Sequence, residues 1–420
     1  VPGIRVMPVV HARVEMAALV RVALDAISPA AVAVELPTTL EGAVHNAVRR
    51  LPQISLVIAE APDEEALVWI VAPGDPFAEA MRWAYEAGVR GACVDPDIRY
   101  VERHRDPVPD PYVIWGMEPS RYLDLLRDGD QGKTSSADQA REAGMAWNVK
   151  RLAEEVSGGP LLVLVGAGHA VGVSNQLGRS VAQPLARRSR SQILLKNLHP
   201  DSLSGILVDA PVMHAAFERL RYNACPFPRA GVRESIPAKV AIKKRGLTLM
   251  TSSKGEDKVE RSRRLVDYVS QCAMRSLYGG GFFPDRRLLG AAVWRLAGEA
   301  YTEQTMNELR TWQTQMFFDF ARRYTRVQGG FVAGMFEWVV AARGVGDDNL
   351  GWEVFDVART YPWQREDAEL STVKIDGDEL DLGTRKLRFR RRFFKIKQRL
   401  TGLGRRRSAD ENPEDWLRGF

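Results

Sequence analysis

The first 180 residues repeat one pattern that few folds can accommodate: short, continuously apolar runs separated by helical segments. IRVMPVV (4–10), AVAVE (31–35), ISLVIAE (54–60), ALVWIVA (66–72), GACVD (91–95) and LLVLVGAG (161–168) have strand length. Most also have the unbroken apolarity of strands covered on both faces. Helices are expected over 14–27, stopped near Pro29, over 76–87, opened by Asp75 and closed by Gly88, and over 137–156. Strands alternating with helices predict an α/β domain, a largely parallel sheet flanked by helices. ISLVIAE and ALVWIVA are so close in sequence that one of them can be an edge strand or a hairpin partner.

Beyond residue 200 the pattern changes. A helix over 210–222, a Pro-rich passage over 226–237 and a charged stretch over 252–264 lead into helices over 286–300, 303–326 and 331–343. Leu309, Trp312, Met316, Phe320 and Tyr324 recur at three or four and predict one buried helical face. At 420 residues the chain exceeds the ~250–300 that one hydrophobic core sustains. The boundaries expected are an α/β domain over 1–185, a mainly α-helical domain over 186–384 and a basic C-terminal tail over 385–420.

The polar residues at the strand ends carry the functional information, because ligands in parallel sheets bind beyond the carboxyl ends of the strands. His11 follows the first run, Glu35 ends the second, Asp95 ends GACVD, and His169 follows LLVLV through Gly166, Ala167 and Gly168. Arg141 joins them by a separate argument. Ser136 and Gln139 have capping-box spacing, which starts a helix at Ala137 and puts Arg141 near its second turn, on a stripe with Met145, Val149, Leu152 and Val156. A guanidinium on a core-facing stripe needs a partner, and Glu35 or an anionic ligand can supply it. Each residue also has a plainer role open to it: His11 as a hydrogen-bonded structural histidine, Asp95 as a helix or turn cap. Asp97, His45, His104, His199 and His214 lack the strand-end placement and are expected at surface, capping or core positions.

Net charge is +6, yet 12 Lys or Arg and no acid fall between Arg385 and Arg407, which leaves the other 397 residues at −6. The body of the chain is therefore mildly acidic. The run LRFRRRFFKIKQRL suits an anionic membrane surface or nucleic acid, or serves as a solubilising tail. Cys93, Cys225 and Cys272 are far apart and show no CxxC spacing, which argues against a disulfide framework or a thiolate zinc site. No run has the ~20 apolar residues of a membrane span, and no signal peptide is legible, so a cytoplasmic protein is expected.

The passage REAGMAWNVKRLAEEVSGGPLLVLVGAGHAVGV resembles the signature of the TraB, GumN, TIKI and erythromycin-esterase superfamily. The shared features are an Arg followed a turn later by Met, a helix, an apolar strand, then Gly-Ala-Gly-His. VMPVVH and AVAVELP resemble that superfamily's first strand with its His and second strand with its Glu. PGDPFAEAMRWAYEAGVRGACVDPD is similar to a segment of bacterial members that ends in an acidic strand end, here Asp95. The resemblance covers residues 1–180 and implies His11, Glu35, Arg141 and His169 as the site. Pro8, Val9 and Val10 depart from the Gly-Thr-like turn usual before the first His.

Two hydrolytic mechanisms suit these residues. In one, resemblance to TIKI-like metallopeptidases implies that His11, Glu35, His169 and Asp95 hold a divalent ion, Mn, Co, Fe or Zn by donor type, that activates water. In the other, resemblance to erythromycin esterase implies a histidine base oriented by Glu35, with Arg141 stabilising an oxyanion. Peptide, amide and ester bonds all qualify. The reading from a different class is a non-catalytic scaffold or binding module whose helical half docks onto protein partners.

Overall fold

The computed structural model describes residues 3–62, 65–98, 108–128, 135–184, 190–224, 258–278, 280–366, 369–376, 379–382 and 386–391. The Pro-rich passage, His104, Cys225, residues 252–257 of the charged stretch and the basic run from residue 392 onward lie outside them. By contacts the chain divides into two units. One comprises Val1–Ser202, Leu277–Gly281 and Trp363–Lys395, the other Leu203–Ser276, Phe282–Pro362 and Ile396–Phe420.

The first unit is α/β, with a parallel sheet flanked by helices as its centre. Strands β1 (Ile4–Val9), β2 (Ala31–Pro37), β5 (Arg90–Asp95) and β6 (Leu161–Gly166) pair in parallel in the order β1-β6-β2-β5. Alternation along each strand sends Ala31, Ala33, Ala92, Val94, Leu161, Val163 and Val165 into one core with Met145, Val149 and Leu152 of α5 (Ser136–Glu155) and Val173 of α6 (Ala167–Leu177). Helices α1 (Val14–Ile27) and α3 (Pro76–Ala87) pack on each other, and α3 packs on β2 and β5. Covered on both faces, the strands have no reason to alternate polar and apolar residues.

Local chemistry sets the ends. Asp75 caps α3 by accepting from the Phe77 and Ala78 amides, Pro76 stands at its first position, and Gly88 closes it at φ +69°. The cap of α5 is Ser135, whose hydroxyl accepts from the Asp138 amide, so the helix begins one residue before the Ala137 start expected from capping-box spacing.

ISLVIAE and ALVWIVA do not enter the parallel sheet. They form β3 (Ser55–Glu60) and β4 (Ala66–Val71), an antiparallel pair, because a link of five residues cannot make the crossover of a dozen or more that parallel neighbours require. They belong to a closed barrel, β10-β11-β12-β4-β3-β7, completed by β7 (Gln192–Leu198), β10 (Thr372–Asp376), β11 (Glu379–Asp381) and β12 (Lys386–Arg391). The start of the expected basic tail is thus a barrel strand, pairing Phe389, Arg390 and Arg391 with Ala66, Leu67 and Val68. Gln364 ties the start of the returning segment to this region. It accepts from the Ile54 amide at 2.8 Å and donates to the carbonyl oxygens of Leu198 (2.6 Å) and Ile54 (3.1 Å).

The second unit is mainly helical: α7 (Leu203–Ile206), α8 (Pro211–Ala224), α9 (Lys258–Ala273), α10 (Arg286–Thr305), α11 (Thr311–Val327), α12 (Met335–Val345) and α13 (Asp348–Ala358), with a hairpin of β8 (Met274–Ser276) and β9 (Phe282–Pro284). The face expected to be buried on α11 is not. Trp312, Met316 and Phe320 are 52 %, 50 % and 38 % exposed, whereas Phe317, Ala321 and Thr325 are buried, Phe317 stacked on Trp294 at 4.0 Å. Among the described residues no helix is long and apolar enough to cross a membrane.

Candidate functional site

Strand order places His11 (after β1), Gly166 (the end of β6), His169 (in α6, directly after β6), Glu35 (β2) and Asp95 (β5) side by side at the carboxyl edge of the parallel sheet. Glu35 lies where the β2–β5 register slips between Val34 and Pro37, an extra residue of the bulge type that redirects side chains near functional sites. Helix α5 then brings Arg141 into the middle of the edge.

Arg141, 3 % exposed, is the hub. Its Nε donates to Asp95 Oδ2 at 3.1 Å, its Nη2 to the same oxygen at 2.7 Å and also to Glu35 Oε1, and its Nη1 to His169 Nε2 at 2.7 Å. Burial works against the guanidinium charge, but Asp95 and Glu35 more than offset it and raise the Arg141 pKa above its ordinary value. Four of the five N–H donors are thereby committed; one on Nη1 remains among the described contacts. Glu35 Oε2 accepts from the Gly166 amide at 2.6 Å, and Asp95 Oδ1 from the Asp97 amide at 3.0 Å, so each buried carboxylate is satisfied on both oxygens.

His169 is held at both ring nitrogens. A guanidinium has no lone pair, so Nε2 must accept, and Nδ1–H donates to Glu142 Oε1 at 3.1 Å. Burial disfavours charge on this ring while Glu35 and Glu142 favour it, and the balance raises its pKa. The guanidinium at Nε2 nevertheless requires the neutral tautomer, so protonation of His169 and release of Arg141 Nη1 are a single event. His11, half-buried, is the more open of the two histidines, with its ring edge-on to Phe77 at 5.1 Å. A methyl group on Gly166 would lie 2.8 Å from His11 Nε2 and 3.2 Å from Glu35 Oε2, so glycine is what lets these two side chains converge there.

All five residues singled out from the sequence therefore meet at one edge. Three more belong with them. Glu142 orients His169; Gly172 of α6 leaves the space that the Glu142 carboxylate fills; and Asp97, expected to be a surface, cap or core residue, is buried at φ +58°. There it takes hydrogen bonds from Arg190 Nε (2.8 Å) and the Thr39 hydroxyl (2.5 Å). Helix α5 approaches closely enough for this because Gly144 lies against Pro96, whose Cγ would be 2.7 Å from a Cβ there. His45, His199 and His214 stand elsewhere, His45 bonding the Gly91 carbonyl.

Three of the four donors proposed for a divalent ion, Glu35, Asp95 and His169, meet the Arg141 guanidinium in this arrangement. Among the described residues no group of three or more His, Cys, Asp or Glu side chains is disposed to hold a metal.

No family model matches the chain, and no curated protein matches it. Among solved structures it is similar to the type III effector HopBA1, at 15% identity over 40% of this chain and 67% of that one, with a TM-score of 0.23. That value is too low for shared architecture or function to be read from it.

Proposed function

We propose that the sheet edge around His11 and Arg141 hydrolyses a carbonyl-centred bond, peptide, amide or ester, without a metal ion. Water attacks the carbonyl carbon while His11 takes its proton. The tetrahedral oxyanion accepts the remaining Nη1–H of Arg141, and collapse expels an amine or alkoxide that recovers the proton from His11. His169 and Glu142 hold the guanidinium in place, and Glu35 and Asp95 keep it charged. The observation that carries this reading is the Arg141 guanidinium with four donors fixed and one left at the edge beside a half-buried histidine. The resemblance of residues 1–180 to the TraB, TIKI and erythromycin-esterase superfamily supports the same chemistry.

The test is a panel of aryl esters and aminoacyl-coumarin amides incubated with the full chain in EDTA. Hydrolysis should persist, and His11→Gln should lower kcat by about 10²–10⁴, the usual contribution of a general base. Activity lost in EDTA and restored by Mn, Co or Zn would establish the metal-dependent mechanism instead. A folded protein inert on the whole panel, or a His11→Gln variant as active as the parent, would favour the non-catalytic binding module.

A further inference from the structure

One buried carboxylate beside this edge has no part in the Arg141 cluster. Asp75, 5 % exposed, caps α3 through Oδ1, which accepts from Phe77 N at 3.0 Å and Ala78 N at 2.9 Å. The cap alone satisfies α3, and Ser or Asn would serve it about as well. Among the backbone amides that oppose the effect of burial on this carboxyl is that of Ala12, in the turn between β1 and α1. Ala12 directly follows His11 and holds φ +55°, the left-handed region that a residue with a Cβ keeps only when its surroundings fix it. Phe77, the second residue of α3, is the ring that packs edge-on against His11.

We propose that Asp75 is the positioning residue for His11: by binding the Ala12 amide and the first turn of α3 with one carboxylate, it fixes the His11 ring between Phe77 and Gly166. Two sequence-distant segments, the β1–α1 turn and the α3 N-terminus, are thereby tied where the catalytic ring leaves the sheet. Burial pushes the Asp75 pKa up to about 7 against the pull of the Ala78, Phe77 and Ala12 amides. The inference rests on the hydrolytic reading for its catalytic consequence, but the placement of His11 is measurable without a substrate.

Asp75→Ser separates the two duties of the carboxylate, because serine caps a helix and has one short acceptor that cannot also reach Ala12. In the full chain with 13C-labelled histidine, the His11 Cε1–H resonance, identified by its disappearance in His11→Gln, should move and broaden in Asp75→Ser. The melting temperature should stay within a few degrees, and on any panel substrate kcat should fall about tenfold with KM unchanged. A His11 resonance that superimposes on the parent's overturns the proposal, whatever happens to kcat. A shifted resonance in a protein that hydrolyses nothing sustains the placement by Asp75 and sinks the hydrolase reading instead. If Asp75→Ser does not fold, hydrogen exchange of the Ala12 amide in the unaltered chain decides. Protection supports the clamp, and exchange at the rate of an open turn refutes it.

Discussion

Gly172 decides whether His169 keeps its second partner. The Glu142 carboxylate occupies the space where a Cβ on residue 172 would lie, so alanine there has to displace it. The displaced atoms are the end of a flexible side chain, and swinging them aside costs little packing. Gly172→Ala should therefore unfold within a few degrees of the parent, while kcat on a panel substrate falls about tenfold as His169 loses its Nδ1 acceptor; a normal kcat would show that Glu142 does not hold this ring. Glu35, Arg141 and His169 were legible in the sequence because each interrupts an apolar pattern, at the end of a strand or on a helix stripe. Glu142 was not, because it lies beside the apolar stripe of α5 and looks like an ordinary solvent-facing glutamate. The small residues Gly144 and Ala146, buried in the structure, were the available sign that α5 is covered over a wider arc than one stripe. Asp97 was not legible because it lacks the strand-end placement of Asp95, and only the fold reveals Arg190 from 93 residues away.

Helix α11 shows why periodicity finds a face more readily than it finds the buried one. Between Trp312 and Thr325 two apolar stripes coexist, Trp312–Met316–Phe320 and Phe317–Ala321, and spacing alone favours neither. The structure buries the second, through the stacking of Phe317 on Trp294 and the bond from Trp294 Nε1 to the Thr314 hydroxyl at 3.1 Å. Phe317→Ala should lower stability by about 3–5 kcal/mol, as expected of a fully buried aromatic, and Phe320→Ala by less than about 1 kcal/mol. Urea unfolding of the two variants checks this, and equal losses would contradict the observed face. The antiparallel pairing of β3 and β4, by contrast, was partly legible, since the five-residue link already excludes parallel neighbours. What no local signal conveyed was their barrel partners, which arrive from beyond residue 190.

At the scale of the whole molecule the two units interleave along the chain. The first begins at Val1 and is completed by Trp363–Lys395. That return supplies β10, β11 and β12, without which β4 and β7 each lose a neighbour, and Gln364, without which the Ile54 and Leu198 carbonyls lose a buried donor. A chain ending at Pro362 should therefore lose the cooperative melting of the α/β unit and become protease-sensitive within residues 54–71 and 192–198; a full-length-like melt would show that the barrel strands are dispensable. The alternating pattern of the first 180 residues gave no warning of this, because it contains the whole parallel sheet, complete by residue 166, but only two of the six barrel strands, β3 and β4. The order of supply has a consequence for biosynthesis. The strands of the parallel sheet leave the ribosome early, but the barrel cannot close until the stretch between Ser202 and Trp363 has been translated, a delay on the order of 10–30 s at typical elongation rates. Throughout that interval β4 and β7 present open hydrogen-bonding edges, which makes the nascent chain a client for chaperones at a defined stage of its synthesis.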